Sequence, residues 1–177
     1  MYNDDCYRGA FEERRKELNS NYLMFEKNGI CVRDNEYKEL FSNPHKYQSK
    51  LIKFWGYISG ERKLITGVDL YTYDCIGNPV YAGTINIELD ENTIATFPSK
   101  DLPNYVLGTY TDEWGSERIR KALFNDEIIL TRKVYCGSGW IYGRYEGIKN
   151  GKPLIHAMIV ELKNSRLDYT ELFGSPN

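Results

Sequence analysis

The stretch LITGVDLYTYDCIGNPVYAGTINIEL, residues 64–89, decides the fold class of this chain. Two runs rich in β-branched and aromatic residues flank Gly77 and Asn78, and such a glycine–asparagine pair is typical of a two-residue hairpin loop. With that loop, the residue numbers of each pair add up to 155. The pattern therefore predicts an antiparallel hairpin.

The predicted register sorts the two strands of this hairpin into one apolar face and one polar face. The apolar face pairs Leu70 with Ile85, Val68 with Ile87, and Thr66 with Leu89. The other face sets Asp69, Tyr71 and Tyr73 against Asn86, Thr84 and Ala82. A slip by one residue would mix the two faces, so the sorting supports the pairing and predicts that Tyr71 and Tyr73 point outward.

Two further segments alternate with the period of a strand. Residues 51–59 place Ile52, Phe54, Gly56 and Ile58 on one side, and Lys53, Trp55 and Tyr57 on the other. Residues 140–163 form a second predicted hairpin, which turns at Asn150 and Gly151, a dipeptide favoured by type I′ turns. Its paired positions add up to 301, and this register sets His156 opposite Tyr145.

Helical spacing occurs near the N-terminus and once in the second half of the chain. Phe11, Leu18, Tyr22 and Phe25 predict a helix over residues 10–27, with Gly29 as its stop. A short second helix is expected over residues 35–41. Ser116 precedes a segment in which Ile119 and Leu123 predict another short helix, and residues 126–136 predict a strand. Residues 90–114 are irregular, with weak strand signals near Ile94 and Val106.

The order of these elements predicts a mainly β protein. We expect an OB-like Greek-key barrel of five or six strands, with an N-terminal helix and a short helix before the fourth barrel strand. Residues 1–45 would pack on the barrel as a helical segment, residues 46–163 would form the barrel, and residues 164–177 would be a tail.

The segment EYKELFSNPHKYQSKLIKFWGYISG, residues 36–60, resembles the start of the tRNA-anticodon-type OB-fold domains. The matching residues are Leu40, Asn43, Pro44, Tyr47, Lys50, Gly56 and Ile58, while Ser49 stands where that family usually has glycine. The compatible element order extends the resemblance to about residue 163. Since members of this family have several functions, the resemblance implies an architecture and leaves the activity open.

Composition and charge narrow the function classes. The 177 residues carry a formal net charge of -2, so no global field attracts nucleic acid or an anionic membrane. No apolar run reaches the roughly 20 residues of a membrane helix, and the charged N-terminus differs from a signal peptide. We expect a soluble, cytoplasmic single domain. Cys6, Cys31, Cys75 and Cys136 form no CxxC pair, so reduced thiols without metal are expected.

Catalytic motifs are absent from the sequence. His45 and His156 are the only histidines, and there is no nucleophile elbow, HExxH motif or phosphate-binding glycine loop. Gly137, Gly139 and Gly143 lie between strands and predict a bulge or tight turn. These observations favour a non-catalytic protein without a cofactor.

The expected binding surface is the outer face of the first barrel strands. OB folds bind oligonucleotides or sugars there, and rings beside cations hold single strands by stacking. The candidate ligand-binding residues are Lys53, Trp55, Tyr57, Arg62, Lys63, Tyr71 and Tyr73. Alternatively, the N-terminal helix covers these rings.

Three functions follow from this surface, in order of preference. The first is binding of single-stranded nucleic acid. The second is a protein-interaction module, such as an inhibitor or immunity factor, which uses the tyrosines as a hot-spot patch. The third is an enzyme or binder that acts on a nucleotide or another small molecule, and this function needs a pocket that the sequence does not reveal.

Overall fold

The chain begins with one long helix. The computed structural model describes residues 4–58, 65–90, 92–98, 121–124, 127–130 and 137–165. Helix α1 (Asp4–Asn28) starts earlier than predicted and ends where expected, because the amide of Gly29 donates to the carbonyl of Phe25 over 2.7 Å. The predicted apolar face is present, since Leu18 and Phe25 are buried and Tyr22 is half-buried. The side chain of Phe11 lies outside the described part.

Short elements connect this helix to the barrel. They are β1 (Ile30–Cys31), a 3₁₀ turn (Asp34–Glu36), α2 (Tyr37–Ser42) and α3 (Pro44–Tyr47). The predicted second helix is therefore confirmed. Helix α3 was not predicted, and its proline occupies the first turn, where the missing amide costs no helical hydrogen bond. Tyr37, Leu40 and Tyr47 are buried in the main core.

Eight further strands are described, and five of them close a barrel. The strands are β2 (Leu51–Ile58), β3 (Ile65–Tyr73), β4 (Pro79–Glu88), β5 (Ile94–Pro98), β6 (Lys121–Phe124), β7 (Glu127–Leu130), β8 (Gly137–Lys149) and β9 (Lys152–Ser165). In the barrel, β2 pairs with β3, β3 with β4, β4 with β9, β9 with β8, and β8 with β2. The β4–β9 pair is parallel, and the other four are antiparallel. This closed ring confirms the predicted mainly β barrel and is consistent with an OB-like barrel.

Alternation along β2 sorts its side chains as predicted. Ile52, Phe54 and Ile58 are buried in the barrel interior, while Tyr57 lies 40% exposed on the outer side. Gly56 also faces inward, and a Cβ there would collide with a methyl group of Val68. The interior is completed by Val68, Leu70, Ile85, Ile87, Ile141, Tyr145, Ile155, Ala157, Val160 and Leu162.

The register of the β3–β4 hairpin differs from the prediction by two residues. Val68 pairs with Ile85 and Leu70 with Gly83, so the pair numbers sum to 153. The loop is longer than two residues, because the Asp74 carboxylate accepts hydrogen bonds from the amides of Ile76 (2.9 Å) and Asn78 (2.8 Å). A shift by two residues keeps each side chain between the strand ends and Gly83 on its face, so Val68, Leu70, Ile85 and Ile87 are still buried as predicted.

The β8–β9 hairpin turns where predicted. Lys149 pairs with Lys152, and Asn150 and Gly151 both have positive φ, at 53° and 78°. The residue numbers of the pair Tyr142–Ile159 again add up to 301, as predicted. Between this pair and the turn, two register shifts displace the pairing by one residue. The expected pair of His156 with Tyr145 is therefore wrong, and Arg144 lies opposite His156 instead.

Strands β5, β7 and β6 extend the sheet beyond the barrel. Strand β5 pairs in parallel with the far end of β9, β7 pairs with β5, and β6 pairs with β7. Lys121–Phe124 is thus a strand, which corrects the predicted short helix before the fourth barrel strand. Hydrogen bonds to β7 satisfy the backbone amides and carbonyls of this segment, which a helical turn would otherwise have done. Residues 116–120 and the signal near Val106 lie outside the described residues, whereas Ile94 begins β5.

Helix α1 packs on the outside of the barrel. Leu18 and Phe25 join a second apolar cluster with Leu51, Tyr142 and Ile159. Strand β9 runs on to Ser165, just past the expected start of the tail. Among the described helices, none is long and apolar enough to span a membrane.

Candidate functional site

Six aromatic side chains lie on the outer face of the barrel and together form what we term the aromatic surface. They are Trp55 and Tyr57 from β2, Tyr71 and Tyr73 from β3, Tyr81 from β4, and Trp140 from β8. Four of these rings were predicted, whereas Tyr81 and Trp140 were not. The surface is built by strand alternation, which directs every second side chain of these strands to the outside.

The rings contact one another edge to face across neighbouring strands. The centroids of Tyr57 and Tyr71 are 5.2 Å apart, and those of Tyr71 and Tyr81 are 5.8 Å apart. Trp55 lies directly opposite Trp140, with centroids 5.4 Å apart and ring planes at 85°. Such pairs stabilise the arrangement beyond the area that they bury, so the rings hold each other in place.

The described part of α1 reaches one edge of this surface. Its apolar face contacts Tyr142 and Ile159, with Phe25 stacked edge-on against Tyr142 at 5.3 Å, and Trp140 packs against the same cluster. Tyr57, Tyr73 and Tyr81 keep 40%, 53% and 58% of their area exposed. The alternative in which the N-terminal helix covers the predicted rings is therefore wrong for Tyr57 and Tyr73.

A β-bulge brings Tyr81 onto the surface. The β3–β4 register changes between Leu70 and Tyr71, so that Tyr71 pairs with Tyr81. Ala82, which was predicted to point outward, packs against the barrel core instead. The extra residue next to Gly83, which has a φ of 139°, reverses the faces beyond this point. The predicted outward position of Ala82 is therefore wrong, and Tyr81 takes the outer face instead.

Among the described residues, Lys53 and Asp69 bring charge to the aromatic surface. The ammonium of Lys53 lies over Trp140, 4.4 Å from the ring centroid, and 5.1 Å from that of Tyr142. The Asp69 carboxylate accepts a hydrogen bond of 2.6 Å from Thr84, whose hydroxyl is also bonded to that of Tyr81. Arg62 and Lys63, which were predicted to supply positive charge, lie outside the described residues.

One hydrogen bond fixes the backbone beneath the aromatic surface, and another joins two of its tyrosines. The hydroxyl of Tyr37 donates to the carbonyl of Trp55 over 2.9 Å, which fixes the backbone of β2 under the surface. A hydrogen bond with Tyr57 raises the pKa of Tyr73, and partial burial acts in the same direction. The phenol of Tyr73 is therefore neutral at physiological pH.

The end of the β3–β4 hairpin carries an unusual number of exposed apolar side chains. Ile76 at the turn is 86% exposed and Val80 is 47% exposed, next to the exposed Tyr73 and Tyr81. One such residue is ordinary on a protein surface, but four on a single hairpin end form a patch.

In the part of the chain that the structure describes, the titratable groups outside the aromatic surface form no known catalytic motif or metal site. His45 is exposed on α3, and His156 bonds to Asp90. Across the described ranges, no three His, Cys, Asp or Glu side chains are grouped to hold a metal ion. Cys31 and Cys75 are exposed free thiols. The side chain of Cys6 and the whole of Cys136 lie outside the part of the chain that the structure describes.

Comparison of this chain with known proteins finds no match. No family model matches the chain, and no curated protein or solved structure is significantly similar to it.

Proposed function

We propose that this chain is a non-catalytic binding protein whose aromatic surface and adjoining hairpin end contact a partner protein. The observation that supports this most strongly is the hairpin end, where Tyr73, Ile76, Val80 and Tyr81 are all about half exposed or more. The partner would offer an apolar groove of a size to receive this end.

The chemistry of the patch matches that of interface centres. Such centres are rich in tyrosine and tryptophan and poor in lysine, glutamate and aspartate. Tyrosine contributes a large contact area at small entropic cost, and the pairing of Tyr57, Tyr71 and Tyr81 restricts the rings before a partner arrives. Burial of the patch therefore gains free energy without a large ordering cost.

The charge of the surface favours a protein over a polyanion. In the described residues, the ammonium of Lys53 contacts the ring of Trp140, while the Asp69 carboxylate lies opposite Thr84 on the same face, next to the pair of Tyr71 and Tyr81. Proteins that hold nucleic acid strands neutralise several phosphates at once. One cation beside one carboxylate supplies little of that attraction.

Affinity capture with paired variants tests the proposal. The chain carrying Tyr73→Ala and Tyr81→Ala should lose a specific partner that the wild type retains from a lysate of its source cells. Leu23→Ala is the matched control, because Leu23 is a 64% exposed apolar residue on α1, away from the surface. A partner that is retained equally by all three chains would contradict the proposal.

Single-stranded nucleic acid is the second candidate ligand. The position of Lys53 against Trp140, next to Trp55, favours it, since a cation beside stacking rings is the usual way to hold an unpaired strand. On this hypothesis, Trp55→Ala costs about 1 to 3 kcal/mol of oligonucleotide binding. The affinity should also fall steeply between about 50 and 200 mM salt. Absence of binding at low salt would reject this candidate and leave the first.

A further inference from the structure

A hollow opens where strand β9 changes its neighbour. Strand β9 pairs with β4 as far as His156 and with β5 from Ile159 onward, so the two neighbours part at Ala157 and Met158. The hollow has a volume of about 460 Å³, within the range of small-molecule sites. Its polar lining consists of Glu17 and Asn21 from α1 together with Asp90, Asn92, Arg144 and His156.

The Asp90 carboxylate orients the His156 ring in this hollow. The Nε2 of His156 lies 2.5 Å from Oδ2 of Asp90, and the amide of Asn92 donates to Oδ1 over 2.8 Å. Partial burial alone would raise the pKa of Asp90, but these hydrogen bonds outweigh it and lower the pKa. Because Asp90 is then a carboxylate, Nε2 carries the proton of this bond, and Nδ1 is the other ring nitrogen available to a ligand.

Arg144 is held next to this histidine by an irregular stretch of β8. It pairs directly with His156, between two of the three register shifts of the β8–β9 hairpin. The backbones approach closely here, since a Cβ on Gly143 would lie 2.5 Å from the carbonyl oxygen of His156. Bulges of this kind redirect side chains and are common beside binding sites.

The guanidinium of Arg144 is exposed and forms no ion pair with any side chain in the described part of the chain. A planar guanidinium matches the two oxygens of a carboxylate or phosphate. The Glu17 and Asp90 carboxylates lie at the same hollow and outnumber the guanidinium of Arg144, so a bare polyanion is disfavoured. Asn21 and Asn92 instead offer amides to hydroxyl or carbonyl groups.

We propose that this hollow is a binding site for a small polar organic molecule, which Arg144 holds by a carboxylate or phosphate group and His156 holds by a hydroxyl group that donates to Nδ1. The volume is larger than a simple oxyanion requires, and this points to an organic ligand. The site shares no residue with the aromatic surface, so it goes beyond the proposed function and stands if that function fails. The third function considered from the sequence, a binder or enzyme for a small molecule, needs a pocket that the sequence did not reveal, and this hollow is such a pocket.

Calorimetric titration of the full chain tests this site with matched probes. Ribose 5-phosphate is compared with ribose, and succinate with succinamide, so that each pair differs in charge at the oxyanion. We expect saturable binding of at least one charged probe and none of its neutral counterpart. The charged probe that binds identifies whether phosphate or carboxylate is the preferred group.

Variants link any binding to the hollow. Arg144→Gln should weaken the charged probe about tenfold or more, the loss expected for hydrogen bonds to a charged group, and Arg144→Lys should restore part of it. Lys152→Gln removes the same charge at the hairpin turn and should leave the affinity unchanged. The proposal is wrong if no charged probe binds in the millimolar range, if the neutral probes bind equally, or if Arg144→Gln binds like the wild type.

Discussion

The ring of Tyr57 packs edge-on against the ring of Tyr71, with centroids 5.2 Å apart and planes at 87°. The two residues lie on adjacent strands, and the Cα partner of Tyr57 is Asp69, so the contact is a diagonal one across the pair. Tyr57 remains 40% exposed in this arrangement. The contact orders the aromatic surface without hiding it from a partner.

A double-mutant cycle measures this contact. Tyr57→Ala and Tyr71→Ala should each destabilise the fold moderately, and their coupling energy should be about 0.5 to 1.5 kcal/mol, as for other aromatic pairs. Urea denaturation of the two single variants and the double variant gives the value. A coupling energy of zero would show that the rings do not touch in solution.

The outward position of α1 predicts contrasting effects for two leucines on the same helix. Leu18 is fully buried under the helix, so Leu18→Ala should cost about 2 to 5 kcal/mol of unfolding free energy. Leu23 is 64% exposed, so Leu23→Ala should change the stability by less than about 0.5 kcal/mol. Equal losses in chemical denaturation would mean that α1 docks through another face.

A buried hydrogen bond links α2 to the barrel. The hydroxyl of Tyr145 is fully buried and donates to the carbonyl of Leu40 over 2.5 Å. Tyr145→Phe leaves that carbonyl without its partner, and we expect a loss of about 1 to 3 kcal/mol in unfolding free energy. Tyr81→Phe, which removes an exposed hydroxyl, is the control and should cost much less. Similar values for both variants would contradict this assignment.

Stability should fall at alkaline pH in part because of Tyr37. Burial disfavours the phenolate and raises the pKa of Tyr37 from 10.0 to about 12. The folded pKa is above the unfolded one, so this contribution is complete below pH 10 and is lost as the pH rises towards 12. The unfolding free energy of the wild type should therefore fall more steeply over that interval than that of Tyr37→Phe. Parallel curves for the two chains would rule out this role.

The sequence predicted local alternation better than long-range partners. The buried and exposed sides of β2 follow directly from the period of two, so Phe54 and Tyr57 were placed correctly. The β3–β4 register was two residues off, because the carboxylate of Asp74 supports a longer turn than a glycine–asparagine pair suggests. The faces of Val68, Leu70, Ile85 and Ile87 were still predicted correctly, because two is the period of a strand, whereas the bulge reversed the faces of Ala82 and Tyr81.

Other features of the two candidate sites left little or no local signal. The bulge that turns Tyr81 outward depends on how two strands pair, and its one local signal is Gly83, because a glycine inside a strand often marks a bulge. Asp90 and His156 are 66 residues apart and meet only because β9 runs beside the end of β4. Partners brought together by sheet topology are visible only once the strands are in place.

Site-specific photo-cross-linking tests the central claim most directly. A benzophenone amino acid is placed at position 81, in place of Tyr81, and separately at position 23, in place of Leu23; both side chains are exposed, by 58% and 64%. After irradiation in the source cells, we predict a discrete adduct with one partner protein from position 81 and none from position 23. Equal labelling from both positions, an adduct with nucleic acid, or no adduct from position 81 would contradict the claim that the aromatic surface contacts a protein.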